Sequence, residues 1–300
     1  MKNNILITGI TSEILQKLYL KIDKDDFNIF GVTRDKSKLQ KQDNITVFEG
    51  DLTDKNFITK IFTENKYDII IHGAAVTHSF DEKKYFEINL DATKVLADEI
   101  KESNAGCKFA FISSRTAGLK SGGYGLSKLR AEEYIQTNLE KCLILRPAEI
   151  FGSSKKEGID KLIKDASTKK ILFCPANLKS KLFPIHIDDA VNIMFDYIFN
   201  QQANNQILTI NGNNGYTFIE LAKKIAKKNN NKLFIIPIPK PVMFLIKYLL
   251  IIFSIKNIFA PDQVDRLYSE KEIIKNKNLK IDILKYSSDI FSNKQKFDNI

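Results

Sequence analysis

The sequence predicts an α/β fold, a doubly wound parallel sheet followed by a smaller C-terminal lobe. Three observations predict it. Short, continuous apolar runs alternate with stretches of helical spacing over the first 150 residues, the pattern of βαβ units whose strands are buried on both faces. The 300 residues are 43% hydrophobic and 27% charged, enough for a large core and unlike a disordered, collagen-like or disulfide-stapled chain. After Gly152 the alternation weakens, which marks where the lobe begins.

Element by element, Ile5-Leu6-Ile7-Thr8 is a strand that turns at Gly9 into helical spacing from Ser12 to Leu20. Phe27 to Val32, Ile45 to Glu49 and Asp68 to Ile71 are the next three strands. Phe86, Leu90, Val95, Leu96 and Ile100 recur at helical spacing. Lys108 to Ile112 is a fifth strand, Gly125 to Thr137 a helix, and Cys142 to Leu145 a sixth strand. Right-handed crossovers between these make the sheet Rossmann-like. Beyond Gly152, Gly158–Thr168, Ala190–Phe199 and Phe218–Lys228 read as helices, with Ile171–Cys174 and Leu208–Ile210 extended. The polar tail after Ser292 is expected to fray. Val242 to Phe253, VMFLIKYLLIIF, is too short to span a bilayer and is interrupted by Lys247. A buried lobe helix is the favoured reading, with an interfacial membrane helix or an oligomer contact as alternatives.

The net charge is +10, from 46 Lys and Arg against 36 Asp and Glu. Arg occurs only at 34, 115, 130, 146 and 266, so the bidentate reader of nucleic acid is scarce and no nucleic-acid partner is expected. Cys107, Cys142 and Cys174 are an odd number without a CxxC pair, which suits a reducing cytoplasm. No signal peptide is expected ahead of the fold, because Met1-Lys2-Asn3-Asn4 runs straight into a strand. No metal site is expected, since the three histidines at 72, 78 and 186 lack ligand spacing.

Thr8-Gly9-Ile10-Thr11-Ser12-Glu13-Ile14-Leu15 lies where the first strand becomes the first helix, a place where free N–H groups meet an anion. A full dinucleotide loop would carry glycine at 9, 12 and 15; only Gly9 is present. Gly9, Thr11, Ser12 and Ile14 are the loop's candidate cofactor contacts. Asp51 and Leu52 follow the third strand, where a carboxylate can accept from an adenine amino group. Ala74 and Ala75 end the fourth strand in side chains small enough for a cofactor to approach the backbone. The second strand ends in Thr33-Arg34, with Lys36 and Lys38 nearby. Arg34 there favours a 2′-phosphate, hence NADP over NAD, with NAD left open.

Ser113-Ser114 closes the fifth strand, at the carboxyl end where open α/β sheets bind ligands. Ten residues on, Tyr124 and Lys128 share one face of a starting helix. A phenol ionises near pH 10, and lowering that by about three units needs about 4 kcal/mol of phenolate stabilisation. The Lys128 ammonium is the expected source. Tyr124 then moves a proton while Ser114 holds the substrate oxygen.

The ordered motifs TGxxS, DLTD, HGAA, EINLDAT, FISS, YGLSK, LRPAEIFG and PIHIDDAV, over roughly residues 3 to 215, resemble the extended short-chain dehydrogenase/reductases, in particular the NAD-dependent epimerase/dehydratases of nucleotide sugars. The resemblance implies Ser114, Tyr124 and Lys128 as the catalytic set, supported by Asn89. It further implies Tyr124, Lys128 and Pro147 beside the cofactor, and Ser114, Tyr124 and Glu149 against the substrate. Residues 1–150 would be the dinucleotide-binding domain, with returning segments near 187–215; 151–186 and 216–300 would form the substrate-binding lobe. Two departures stand out: Ser12 and Leu15 crowd the phosphate loop, and the Ser114–Tyr124 gap is shorter than usual in the family. The expected activity is NAD(P)-dependent epimerisation or keto-reduction of a nucleotide-activated sugar. Dehydration is disfavoured because Arg115-Thr116 stands where a dehydratase carries Asp-Glu. A non-catalytic NAD(P)-binding scaffold and a reductase of lipid or steroid-like ketones are the alternatives. A homodimer and a weak membrane-surface contact through 242–253 are left open.

Overall fold

The computed structural model describes residues 2–39, 44–154, 157–176, 178–200, 205–255 and 259–273; the expected frayed tail after Ser292 lies outside them. In chain order the elements are β1 (Asn3–Thr8), α1 (Glu13–Tyr19), β2 (Phe27–Thr33), β3 (Ile45–Glu49), α2 (Lys55–Glu64), β4 (Ile69–His72), α3 (Lys83–Phe86), α4 (Ala92–Ser103), β5 (Lys108–Ile112), α5 (Gly122–Asn138) and β6 (Cys142–Pro147). There follow β7 (Ile150–Phe151), α6 (Gly158–Thr168), β8 (Ile171–Pro175), β9 (Ile185–His186), α7 (Ile187–Phe195), β10 (Gln206–Ile210), α8 (Phe218–Lys228), β11 (Phe234–Ile238), α9 (Lys240–Ile252) and α10 (Asp262–Tyr268).

Seven strands form one parallel sheet in the order β10-β6-β5-β4-β1-β2-β3. The order reverses direction between β1 and β4, the switch point at which such sheets open a crevice. Continuous apolar runs are explained by the two cores. Ile5, Ile7 and Ile71 face α1 and α7, whereas Leu6, Ile70, Phe109 and Phe111 face α2, α4 and α5. Successive side chains point to opposite faces, so an unbroken run of Ile and Leu fills both.

Outside the sheet, α6 and α8 close a third core over β8, which pairs with β11 in a separate two-stranded sheet. Neither β11 nor α10 was expected from the sequence. The favoured reading of Val242 to Phe253 is corrected. Its helix, α9, buries only Met243 and Leu250, while Leu249 is 41% and Ile252 71% exposed. Lys247 explains the orientation: its ammonium meets both Asp265 carboxylate oxygens at 2.7 and 2.8 Å, which turns that edge inward onto α10.

Candidate active site

The first strand–helix turn is shaped by glycine. Gly9 adopts φ +73°, and a Cβ there would lie 2.6 Å from the Ala74 backbone nitrogen. The crowding expected at Leu15 is resolved by Gly73: any Cβ on Gly73 would meet Leu15 Cδ1 at 2.5 Å. The glycine that gives Leu15 room stands on the facing strand end rather than in the helix. Ser12 Oγ is buried without a hydrogen-bond partner, an unmet polar atom where a diphosphate oxygen would be received. Ala74 and Ala75 are half-buried beside this turn. The residues therefore fit a dinucleotide: Gly9 lets the turn lie tight against Ala74, and Ser12 offers an unmet polar atom at the helix start.

Other expected cofactor contacts are more varied. Thr11 and Ile14 are half-buried in the loop, and Leu52 is buried below it. Arg34 is exposed just beyond β2. Asp35 turns away from it, accepting from Ser37 N–H and Oγ–H at 3.0 and 2.6 Å; those bonds and Lys38 hold its carboxyl below the usual range. The Asp51 Oδ1 atom is taken by its own turn, accepting from Thr53 N–H and Oγ–H, both at 2.9 Å. Pro147 is buried, and its carbonyl accepts from the Arg115 N–H at 2.9 Å.

Ser114 stands at the carboxyl end of β5, near enough to Tyr124 for its hydroxyl to draw the phenol down. That hydroxyl also accepts from Thr116 N–H at 3.2 Å and lies 2.8 Å from Thr116 Oγ1. Tyr124 is 8% exposed. Burial pushes its phenol up, opposed by the Arg266 guanidinium and the Ser114 hydroxyl, with Asp262 pushing up again.

Lys128 sits differently from its expected place. Its ammonium donates to Ile112 O at 2.9 Å and lies 4.2 Å from the Phe111 ring centroid. Burial pulls it down to about 7, against the opposing charge of Glu132. The cation that faces Tyr124 is instead Arg266 of α10, whose guanidinium carbon is 4.6 Å from the phenol ring centroid. Arg266 is anchored by Thr77 O at 3.0 Å and by Asp262 at 3.0 Å. Tyr85 completes the wall, edge-on to Tyr124 at 6.0 Å and donating to Asp262 at 3.1 Å. Sequence reasoning missed Arg266, because nothing local links residues 142 positions apart.

Glu149 requires a correction. Expected against the substrate, its carboxylate is instead held by Arg115 at 2.6 Å, the Phe183 N–H at 2.8 Å and Lys271 at 3.9 Å. Burial would raise it, but the charges of Arg115 and Lys271 prevail and hold it below the usual carboxylate range. Arg115, where a dehydratase carries an acid, is thereby turned into the protein rather than toward Tyr124.

Asn89 lies in a single π-helical turn, Glu87–Asp91, between α3 and α4. Its amide is locked: Oδ1 accepts from Val76 N–H at 2.7 Å, and Nδ2 donates to Val76 O and Ser127 Oγ. Beneath it His72 joins Thr8 Oγ1 at 2.6 Å to Thr93 Oγ1 at 2.9 Å. Since Thr93 donates to Asn89 O at 2.9 Å, the network assigns the His72 proton to Nε2. Burial, then the charge of Lys128, pulls this imidazole down to about 3, so it is neutral. Glu132 links Ser113 and Arg146 below Ser114.

These features agree with what the chain resembles. Residues 5–210 match the model of the NAD dependent epimerase/dehydratase family, and the chain belongs to that family, a group of extended short-chain dehydrogenase/reductases. Over 229 residues it is 25% identical to the decarboxylating sterol-4-alpha-carboxylate 3-dehydrogenase of Schizosaccharomyces pombe, covering 67% of this chain and 66% of that protein. The match to such curated relatives spans about half to two thirds of their length. Among solved structures, the Bordetella bronchiseptica enzyme WbmG with NAD and UDP superposes with a TM-score of 0.67 at 17% identity, over 80% of this chain and 83% of that one. The dTDP-4-dehydrorhamnose reductase of Bacillus anthracis with NADP superposes with a TM-score of 0.62 at 17% identity, over 89% and 99%.

Proposed function

We propose that the protein is an NAD(P)-dependent epimerase or keto-reductase of a nucleotide-activated sugar. The observation that carries this reading is the tight Gly9 turn against Ala74 with the unmet Ser12 Oγ at the helix start, at the same carboxyl end of the sheet where Ser114 follows β5 and the buried Tyr124 opens α5. A bound nicotinamide supplies hydride acceptance and donation. The chain's own residues do the rest. Ser114 orients the substrate oxygen, and Tyr124 takes or returns its proton. Arg266 steadies negative charge on the phenol from one side; Lys128 fixes the α5 face against β5 from the other. Gly9, Thr11, Ser12, Ile14, Asp51, Leu52, Ala74, Ala75 and Pro147 hold the cofactor. NADP is favoured over NAD, because Arg34 is exposed at the end of β2 while Asp35 is turned into its own cap.

Epimerisation or reduction is favoured over dehydration, since Arg115 is committed to Glu149 and Thr116 is bonded to Ser114. The segments 151–186 and 216–273 act as the substrate-binding lobe, and the reading places the enzyme in the cytoplasm. A second substrate class, an apolar ketone, is favoured by the similarity to the sterol dehydrogenase.

The deciding experiment is to purify the protein and identify the nicotinamide that co-purifies and its redox state. UDP-hexoses and a steroid ketone are then offered separately. Turnover of a UDP-hexose supports the proposal, turnover of the steroid ketone alone transfers it to the second class, and failure to bind either NAD or NADP overturns it.

A further inference from the structure

Eleven of the fourteen large apolar side chains exposed among the described residues sit on one part of the molecule: β8, β11, α9 and the turn that ends α9. Ile171 and Phe173 on β8 are 52% and 63% exposed, and Phe234 on β11 is 67% exposed. The register pairs Phe234 with Ile171, so these side chains share the outer face of the small sheet, opposite the face that covers Leu172 and Cys174. Only Pro239 separates β11 from α9. Val242, Leu245, Tyr248, Leu249, Ile252 and Phe253 then form an outward arc about half the circumference of that helix. The arc carries no charge, because Lys247 is turned inward to Asp265.

We propose that this surface docks on an anionic membrane, with α9 lying in the lipid interface. Charge selects this occupant. The segments 157–186 and 211–273 carry sixteen Lys and Arg against eight Asp and Glu, most of the excess of the whole chain. Exposed lysines stand at the edges of the apolar elements: Lys169 and Lys170 ahead of β8, Lys232 ahead of β11, and Lys240 at the start of α9. Cations bordering an apolar, aromatic-bearing arc attract acidic headgroups while the arc enters the acyl boundary. A second copy would bring two lobes of like charge face to face, which opposes self-association through this surface. No helix among the described residues is long and apolar enough to cross a membrane, so the contact lies on the bilayer surface.

The test is flotation of the full chain with vesicles of phosphatidylcholine alone and with one-third phosphatidylglycerol. The wild type floats with the acidic vesicles and is released by high salt. The double variant Leu249→Asp, Ile252→Asp floats at least about tenfold less, with an unchanged thermal melt because both sites are exposed; Leu20→Asp, at an exposed site on the sheet domain, floats as wild type. If the double variant melts early, Phe253→Ser, at a 67% exposed site in the turn after α9, replaces it with the same expected loss. No flotation of the wild type, or equal flotation of a stably folded variant, overturns the proposal. So does a wild-type dimer in sedimentation that the same substitutions dissociate, which would give the surface to a second copy.

Discussion

The main sheet and the β8–β11 sheet cover their apolar surface to different extents. Every residue of β1 from Ile5 to Thr8 is buried, because helices lie on both faces. In β8 burial alternates, with Ile171 and Phe173 outside and Leu172 and Cys174 inside. Two strands under one layer of helices have one covered side. The difference teaches that an apolar strand reports burial on both faces only when a second helical layer exists. Where that layer is missing, the same residues become surface.

The largest expected effect tests where the chemistry sits. Tyr124→Phe should lower turnover about 10²–10⁴-fold while cofactor affinity stays within a few-fold, since one hydroxyl is lost and little volume. Steady-state kinetics beside a nucleotide titration check it; near wild-type turnover would remove Tyr124 from the proton path. Next in size is a direct contrast of the two sheets. Phe109→Ala, at a fully buried site, should cost about 3–5 kcal/mol in denaturant unfolding. Phe173→Ala should cost less than about 0.5 kcal/mol, as exposed sites do. Equal losses would mean that the outer face of β8 is covered after all.

Two smaller effects divide the site between its halves. On the sheet side, Arg34→Asp should weaken NADP by roughly 1–3 kcal/mol more than NAD. Parallel losses would show that Arg34 does not read the 2′-phosphate. On the lobe side, Arg266→Gln removes the cation facing the phenol, so Tyr124 ionises at higher pH. The limb of the pH–rate profile that follows phenol ionisation should move to higher pH. An unmoved limb would make Arg266 a structural tether only.

How much could be read in advance follows the same division. Strands such as Ile5–Thr8 and Lys108–Ile112 were legible because double-sided burial writes itself as an unbroken apolar run. That Ser114, Tyr124 and Lys128 fall at one end of the sheet was legible because β5 and α5 are adjacent in the chain, though the sequence alone did not show that Lys128 turns to Ile112 O. The β11 strand, FIIPI, is short and carries Pro237, which hid it. Charged residues read as solvated by default, so the buried Arg115–Glu149 pair was invisible. The outward face of α9 was misread because apolar spacing marks a helix but does not say which side meets protein.

The neutral imidazole beneath Asn89 sets an acid limit on the fold. An unfolded chain takes up a proton at residue 72 near pH 6.5, whereas the native sheet resists it until about 3. Between those values the unfolded state binds more protons, so stability is present above 6.5 and is lost as pH falls, at up to about 1.4 kcal/mol per unit. By pH 5 about 2 kcal/mol should be gone from this one residue. Unfolding midpoints at pH 7.5 and pH 5 should therefore differ less for His72→Gln than for the wild type. If the two proteins lose stability in parallel, residue 72 is not the group taking up the proton. Otherwise the native state gives way on the acid side where its central strands let in a hydrogen ion.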